Sequence, residues 1–250
     1  MLRRILFAAT LVAGCSRAPS VVLVHGAWMG GAGWSPTADQ LRDRGADVTV
    51  LDLPAHGADT APPGQATLDA YVARVSSAID AAPKPVVLVG HSMGGVVISQ
   101  VADQRGDIDK LVFVAAYVPT SGQSLLDLAM ADPDAQIGPS LQFNQDGTVG
   151  VAQDAFPDLF CADCTAAARA TLVASYRAEP GAPLQQPVTL GAREAAVPKI
   201  YIHTSRDRVI SPALQARMTA ATPMNRELTL DTSHAAMLAM PDELADAVLE

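Results

Sequence analysis

Three polar side chains far apart in the sequence, Ser92, Asp207 and His234, have the types and settings to cleave an acyl bond together. Ser92 lies in Gly90-His91-Ser92-Met93-Gly94, a match to G-x-S-x-G, the turn that lifts a serine hydroxyl above the end of a parallel sheet. The spacing has a steric reason. Such a serine sits in a strained backbone conformation, and the residues two positions either side must lack a Cβ so that strand and helix can cross closely. A glycine-rich turn with an incidental serine is the plain alternative. Against it, "VVLV" before the turn reads as a buried strand and "GGVVISQVADQRG" after it as a helix.

A serine hydroxyl needs a base, and the base needs an orienting acid. A nucleophile on such a turn takes both from downstream, in the order serine, acid, histidine. Asp207 falls in "VPKIYIHTSRDRVISP", on the polar turn leaving a strand and ahead of Ser211-Pro212, which reads as a helix N-cap followed by proline at the first helical position. Its plain reading is a solvated turn aspartate between Arg206 and Arg208, and Asp231 is the second candidate acid. His234 follows the last strand, "NRELTL", in the loop before "PDELADAVLE". Of five histidines, only His234 follows the acid on a strand-end loop. His25 reads as a brace for its own loop, His56 with Asp52 as fold support, His91 as the variable position of the turn, and His203 as packed within a strand. The oxyanion formed on attack requires backbone N–H donors. Met93, next after the nucleophile, supplies one, and Ala27 in "LVHGAWMGGAGW" supplies the other.

The elements that position these groups follow from the alternation of strand-like and helix-like segments. A chain of 250 residues, 49% hydrophobic and 17% charged, suits one α/β domain built from β-α-β units around a mostly parallel sheet. The domain spans residues 21–250. Residues of about 118–190 break the alternation with loops, prolines and short helices, as an inserted cap over the site would, with "SLLDLAMADP" and "TAAARATLVASYRAEP" as its helices. A formal net charge of −9 argues against a nucleic-acid partner.

The N-terminus, "MLRRILFAATLVAGCS", has a basic start, an apolar stretch too short to span a bilayer, and small residues before a cysteine. It reads as a signal peptide over residues 1–14, and Val12-Ala13-Gly14-Cys15 resembles the lipobox of bacterial lipoproteins, with Cys15 as the lipidated residue. Residues 15–20 would then be a short membrane tether, reaching at most roughly 18 Å. The alternatives are an ordinary cleaved signal, or a start placed too early ahead of a cytosolic enzyme. Cys161 and Cys164 form an even pair that an oxidising compartment could bridge; two free thiols at a helix start are the other reading. A metal site is disfavoured, since no second pair or adjacent histidine accompanies them.

Together "VVLVHGAW", "LDLPAHG", "VVLVGHSMGG", "LVFVAAYVP", "YIHTSRD" and "SHAAMLAMP" resemble the α/β-hydrolases of the hydroxynitrile lyase and plant methyl-esterase group, which includes bacterial carboxylesterases and pyrethroid-hydrolase-like enzymes. The resemblance runs from about Val21 to the C-terminus and is clearest outside residues 120–190. It implies an α/β-hydrolase fold with a cap, a cofactor-free serine mechanism and a small-molecule ester substrate. In lyases of the group, threonine replaces the oxyanion-loop glycine and lysine follows the catalytic histidine. Gly26 and Ala235 stand at those places, which favours ester hydrolysis, although esterases of the group usually carry methionine where Ala235 stands. Trp28, Tyr117 and Met237 are the expected pocket residues. The expectation is an exported serine carboxylesterase for small to medium apolar esters; a cofactor-free lyase and a non-catalytic ligand receptor on the same fold are the rivals.

Overall fold

The computed structural model describes residues 18–250; the expected signal peptide and Cys15 lie outside them. The first half alternates as β1 (Ser20–Val24), α1 (Ser35–Asp43), β2 (Asp47–Val50), α2 (Leu68–Ala81), β3 (Val86–His91), α3 (Gly94–Gln104) and β4 (Ile108–Val114). An insertion follows, with α4 (Leu125–Met130), β5 (Leu141–Phe143), β6 (Thr148–Val151), α5 (Phe156–Phe160), α6 (Ala166–Ala174), β7 (Glu179–Pro180), α7 (Gly181–Gln185) and α8 (Ala192–Ala196). The chain then returns through β8 (Lys199–Thr204), α9 (Pro212–Ala221), β9 (Arg226–Leu230), α10 (Ala236–Ala239) and α11 (Pro241–Leu249).

Six strands pair in parallel in the order β2-β1-β3-β4-β8-β9. Every residue of β1 and β3 is buried, because unbroken apolar runs suit strands covered by helices on both faces. This is the expected α/β-hydrolase architecture. The chain leaves β1 for β2 on one side and later returns to β3 on the other, so the loops after β1 and β3 diverge. Their carboxyl ends therefore border the crevice where open α/β sheets bind ligands. Ala27 and Ser92 follow those two strand ends.

The insertion holds a feature that the sequence pattern does not reveal, a three-stranded antiparallel sheet in the order β5-β6-β7. Its strands have 3, 4 and 2 residues, too short for alternation to register. Leu128, Ile137, Phe156, Phe160 and Leu172 of the insertion belong to the same continuous apolar cluster as the sheet. The cap therefore shares the domain core. Ser211 caps α9, accepting from Leu214 N–H with Pro212 in the first turn, as its sequence predicts.

Candidate active site

β3 ends where Ser92 takes φ +53°, a left-handed conformation that a residue with a side chain adopts only under constraint from its surroundings. The constraint comes from close packing at the turn. A Cβ on Gly90 would lie 2.6 Å from the Gly94 carbonyl oxygen, and one on Gly94 would lie 2.8 Å from that of Val24. Ser92 N–H donates to Val114 O (3.2 Å), while Ser92 O accepts from Tyr117 N–H (3.1 Å). The Ser92 backbone is thus fixed against the end of β4 and the segment that follows it. Met93 precedes α3, so its N–H sits at the positive end of that helix. Among the described residues, neither the Met93 nor the Ala27 N–H has a hydrogen-bond partner.

His234 and Asp207 come together across 27 residues of sequence. His234 Nδ1 donates to Asp207 Oδ2 at 2.7 Å, and both side chains are fully buried. Asp207 is held by four further donors: Thr204 Oγ1 (2.9 Å) and Gln215 Nε2 (3.2 Å) on Oδ2, and the backbone N–H groups of Val209 (2.8 Å) and Ile210 (2.9 Å) on Oδ1. With Nδ1 engaged, Nε2 of His234 is buried and has no partner among the described residues. The turn beside Ser92 packs against it. His91 Nε2 donates to His234 O (3.1 Å), and the two rings lie 4.5 Å apart. Burial, then the neighbouring His234, push the His91 imidazole well below its ordinary range. Asp231, the second candidate acid, instead pairs with Ser205 Oγ (2.6 Å) and Arg206 and is 80% exposed.

His25 braces the loop after β1, its Nδ1 donating to Gly26 O (2.8 Å) while Nε2 accepts from Leu53 N–H (3.0 Å). Burial and the nearby His56 lower its pKa to about 3, which fits an imidazole that must keep one nitrogen as acceptor. Asp52 accepts from Gly31 and Ala58 N–H and so holds the same loop to its neighbour.

One site feature escapes sequence reasoning. Glu179 of β7 is fully buried and accepts from His56 Nε2 (2.8 Å), Tyr71 OH (3.0 Å) and Trp28 N–H (3.2 Å). Trp28 also accepts from Arg177 N–H (3.1 Å) at its carbonyl and donates its indole N–H to Val149 O (2.7 Å). The cap thus grips the residue next to Ala27 on three sides. Of the two sequence readings of Cys161 and Cys164, the structure has the disulfide. In the turn it closes, Asp163 accepts from Thr232 and Ser233, just ahead of His234. Glu179 is separated from its partners by 108 to 151 residues, and no local pattern marks it.

A cavity of about 570 Å³ opens over Ser92, with Ala27, Trp28, Met93 and Tyr117 in its wall. Leu125, Ile137, Leu184 and Val209 make the rest mostly apolar, Asp132 is its charged member, and neither lysine nor arginine lines it among the described residues. Burial and the carboxylates of Asp207 and Asp132 push the Tyr117 phenol up, so it presents a neutral hydroxyl. Met237 does not line this cavity. It is fully buried beside α1, its carbonyl accepting from Thr37 Oγ1 (3.0 Å), because α10 turns that side chain into the core.

Residues 21–247 match the family model described as alpha/beta hydrolase family. The chain belongs to this family. Among relatives of this α/β-hydrolase, it is 30% identical over 244 residues to putative methylesterase 11, chloroplastic, of Arabidopsis thaliana, covering 92% of this chain and 63% of that protein. It is 41% identical over 110 residues to a carbendazim hydrolyzing esterase of Nocardioides sp. strain SG-4G, covering 43% of this chain and 46% of the relative. The match thus spans less than two thirds of both relatives. A pyrethroid hydrolase from Sphingobium faniae JZ-2 has the same fold, with TM-score 0.81 at 22% identity over 93% of this chain and 96% of that one.

Proposed function

We propose that the protein is a serine carboxylesterase acting on small to medium apolar, uncharged esters through an acyl-Ser92 intermediate. The observation that carries this reading is the buried Asp207–His234 pair with Nε2 of His234 free, beside a strained Ser92 on the floor of an apolar cavity. His234 Nε2 takes the Ser92 proton as Oγ attacks the ester carbonyl, and Asp207 stabilises the imidazolium. The oxyanion accepts from the N–H groups of Ala27 and Met93, each such donor contributing about 2.7–4 kcal/mol. The alkoxide leaves with the proton from His234. Water, activated by the same imidazole, then releases the acid and restores the serine.

Gly26 argues against the lyase alternative. A Cβ there would lie 2.7 Å from Ser92 Cβ and 2.8 Å from His91 Nδ1, so this backbone excludes the threonine expected of a lyase. The esterase names of the relatives agree with hydrolysis. Export and lipidation at Cys15 rest on residues 1–20, and the Cys161–Cys164 disulfide suits an oxidising compartment.

The test is hydrolysis of nitrophenyl esters from acetate to decanoate by the full chain and by Ser92→Ala. We expect turnover that peaks at one chain length, loss of turnover in the variant, and phosphonate labelling of the parent alone. Labelling that survives Ser92→Ala would sink the assignment.

A further inference from the structure

The loop carrying His234 is held on both sides by one short segment of the cap. Before the histidine, Ser233 N–H donates to both oxygens of Asp163 (3.3 and 3.2 Å), Ser233 Oγ also bonds Asp163, and Thr232 Oγ1 donates to it at 2.8 Å. After it, Ala235 N–H donates to Phe160 O at 2.8 Å, an oxygen that Ser233 Oγ also reaches at 3.2 Å. The Phe160 ring meets the imidazole edge-on, with centroids 5.1 Å apart. Phe160 and Asp163 flank Cys161, which is fully buried and bridged to Cys164. Five residues, 160–164, four of them closed by one covalent link, thus carry both anchors of the catalytic loop.

We propose that Asp163, held in the Cys161–Cys164 disulfide turn, is a positioning residue for His234, so that full turnover requires the closed turn. The proposal rests on the esterase reading of the site. Its physical basis is that an imidazole must serve two partners at once, Asp207 through Nδ1 and the serine through Nε2, which leaves little tolerance in backbone placement. A displacement of about 1 Å at a reacting group costs up to about 100-fold in rate. Opening the turn separates the Phe160 carbonyl from the Asp163 carboxylate and lets residues 232–235 shift. Dithiothreitol opens it in a balanced step. Two electrons and two protons pass to the sulfurs of Cys161 and Cys164, which end as thiols, while the reagent closes into its own cyclic disulfide.

The experiment compares the full chain with Asp163→Asn, Cys161→Ser/Cys164→Ser and the dithiothreitol-treated parent, reading kcat and KM on nitrophenyl butyrate. Alongside, the low-field proton resonance of the His234 Nδ1–H···Asp207 bond is followed by NMR. That resonance needs no ester turnover and reports imidazole placement directly. The expected result is a fall in kcat of about 10- to 100-fold, KM within about twofold, circular dichroism unchanged, and a broadened or shifted low-field resonance. An unchanged resonance with unchanged kcat in all three would overturn the proposal. If the double-cysteine variant does not fold, Asp163→Asn and the reduced parent decide the matter. A resonance lost in the variants of a parent that hydrolyses no ester would support the positioning role and remove the esterase reading instead.

Discussion

Asp207 and Asp231 are each a turn aspartate beside Arg206 or Arg208, yet their surroundings assign them different work. Asp207 is buried and saturated by five donors, one of them His234, whereas Asp231 is 80% exposed and paired with Arg206. We therefore expect Asp207→Asn to lower kcat by about 10⁴-fold, the cost of a wrong imidazole tautomer in a comparable triad, with KM little changed. Asp231→Asn should leave kcat within about twofold. Steady-state kinetics on one nitrophenyl ester distinguishes them, and a larger loss from Asp231→Asn would reverse the assignment. The meeting of Asp207 and His234 beside the turn of Ser92 is legible in the sequence because the proposed chemistry fixes a chain order and each residue follows a recognisable strand. The place of Met237 is not, because spacing from His234 says nothing about the inward turn of a four-residue helix.

At the scale of elements, the loop after β1 that carries Ala27 and Trp28 owes its shape to the cap. Trp28 has φ +62°, and three backbone or indole bonds from residues 149, 177 and 179 hold it. Glu179 also binds His56. Burial pulls the His56 pKa down, but the charge and hydrogen bond of Glu179 outweigh that, and the net shift is upward. A histidine raised in the folded state contributes stability that is whole below its unfolded value of about 6.5 and fades as pH rises through the folded value. Glu179→Gln should therefore destabilise by about 3–5 kcal/mol at pH 6, the usual cost of removing one partner of a buried pair. The gap between parent and variant should narrow toward pH 9. Urea unfolding at both pH values measures it, and a gap that widened with pH would exclude the ion pair as its source. None of this latch could be read from "RAEPGAP", since the residues that neutralise Glu179 are supplied by distant loops and a helix.

For the whole molecule, the parallel sheet was legible because its central strands are buried runs separated by amphipathic helices. The small sheet of the cap was not, its strands of 3, 4 and 2 residues being too short to show alternation. Residues 1–20 make a separate prediction about the molecule's address. Lipidation would add a diacylglyceryl and an acyl chain at Cys15, so the intact mass of membrane-extracted protein should equal residues 15–250 plus those groups, while Cys15→Ala should carry no lipid, with ester hydrolysis equal in both. Parent and variant that differ only by the cysteine substitution would leave plain secretion or a cytosolic enzyme.

The insertion between β4 and β8 also orders events in time. β8 must pair with β4, yet the whole cap is synthesised between them. At about 5–20 residues per second, Ser92 waits on the order of ten seconds for His234. During that interval the growing chain carries Ser92 without the histidine that the proposed mechanism requires. It also has β4 as the open border of its sheet, with backbone donors and acceptors that only β8 will cover. The strand at the middle of the finished fold is thus, for a time, its most adhesive edge.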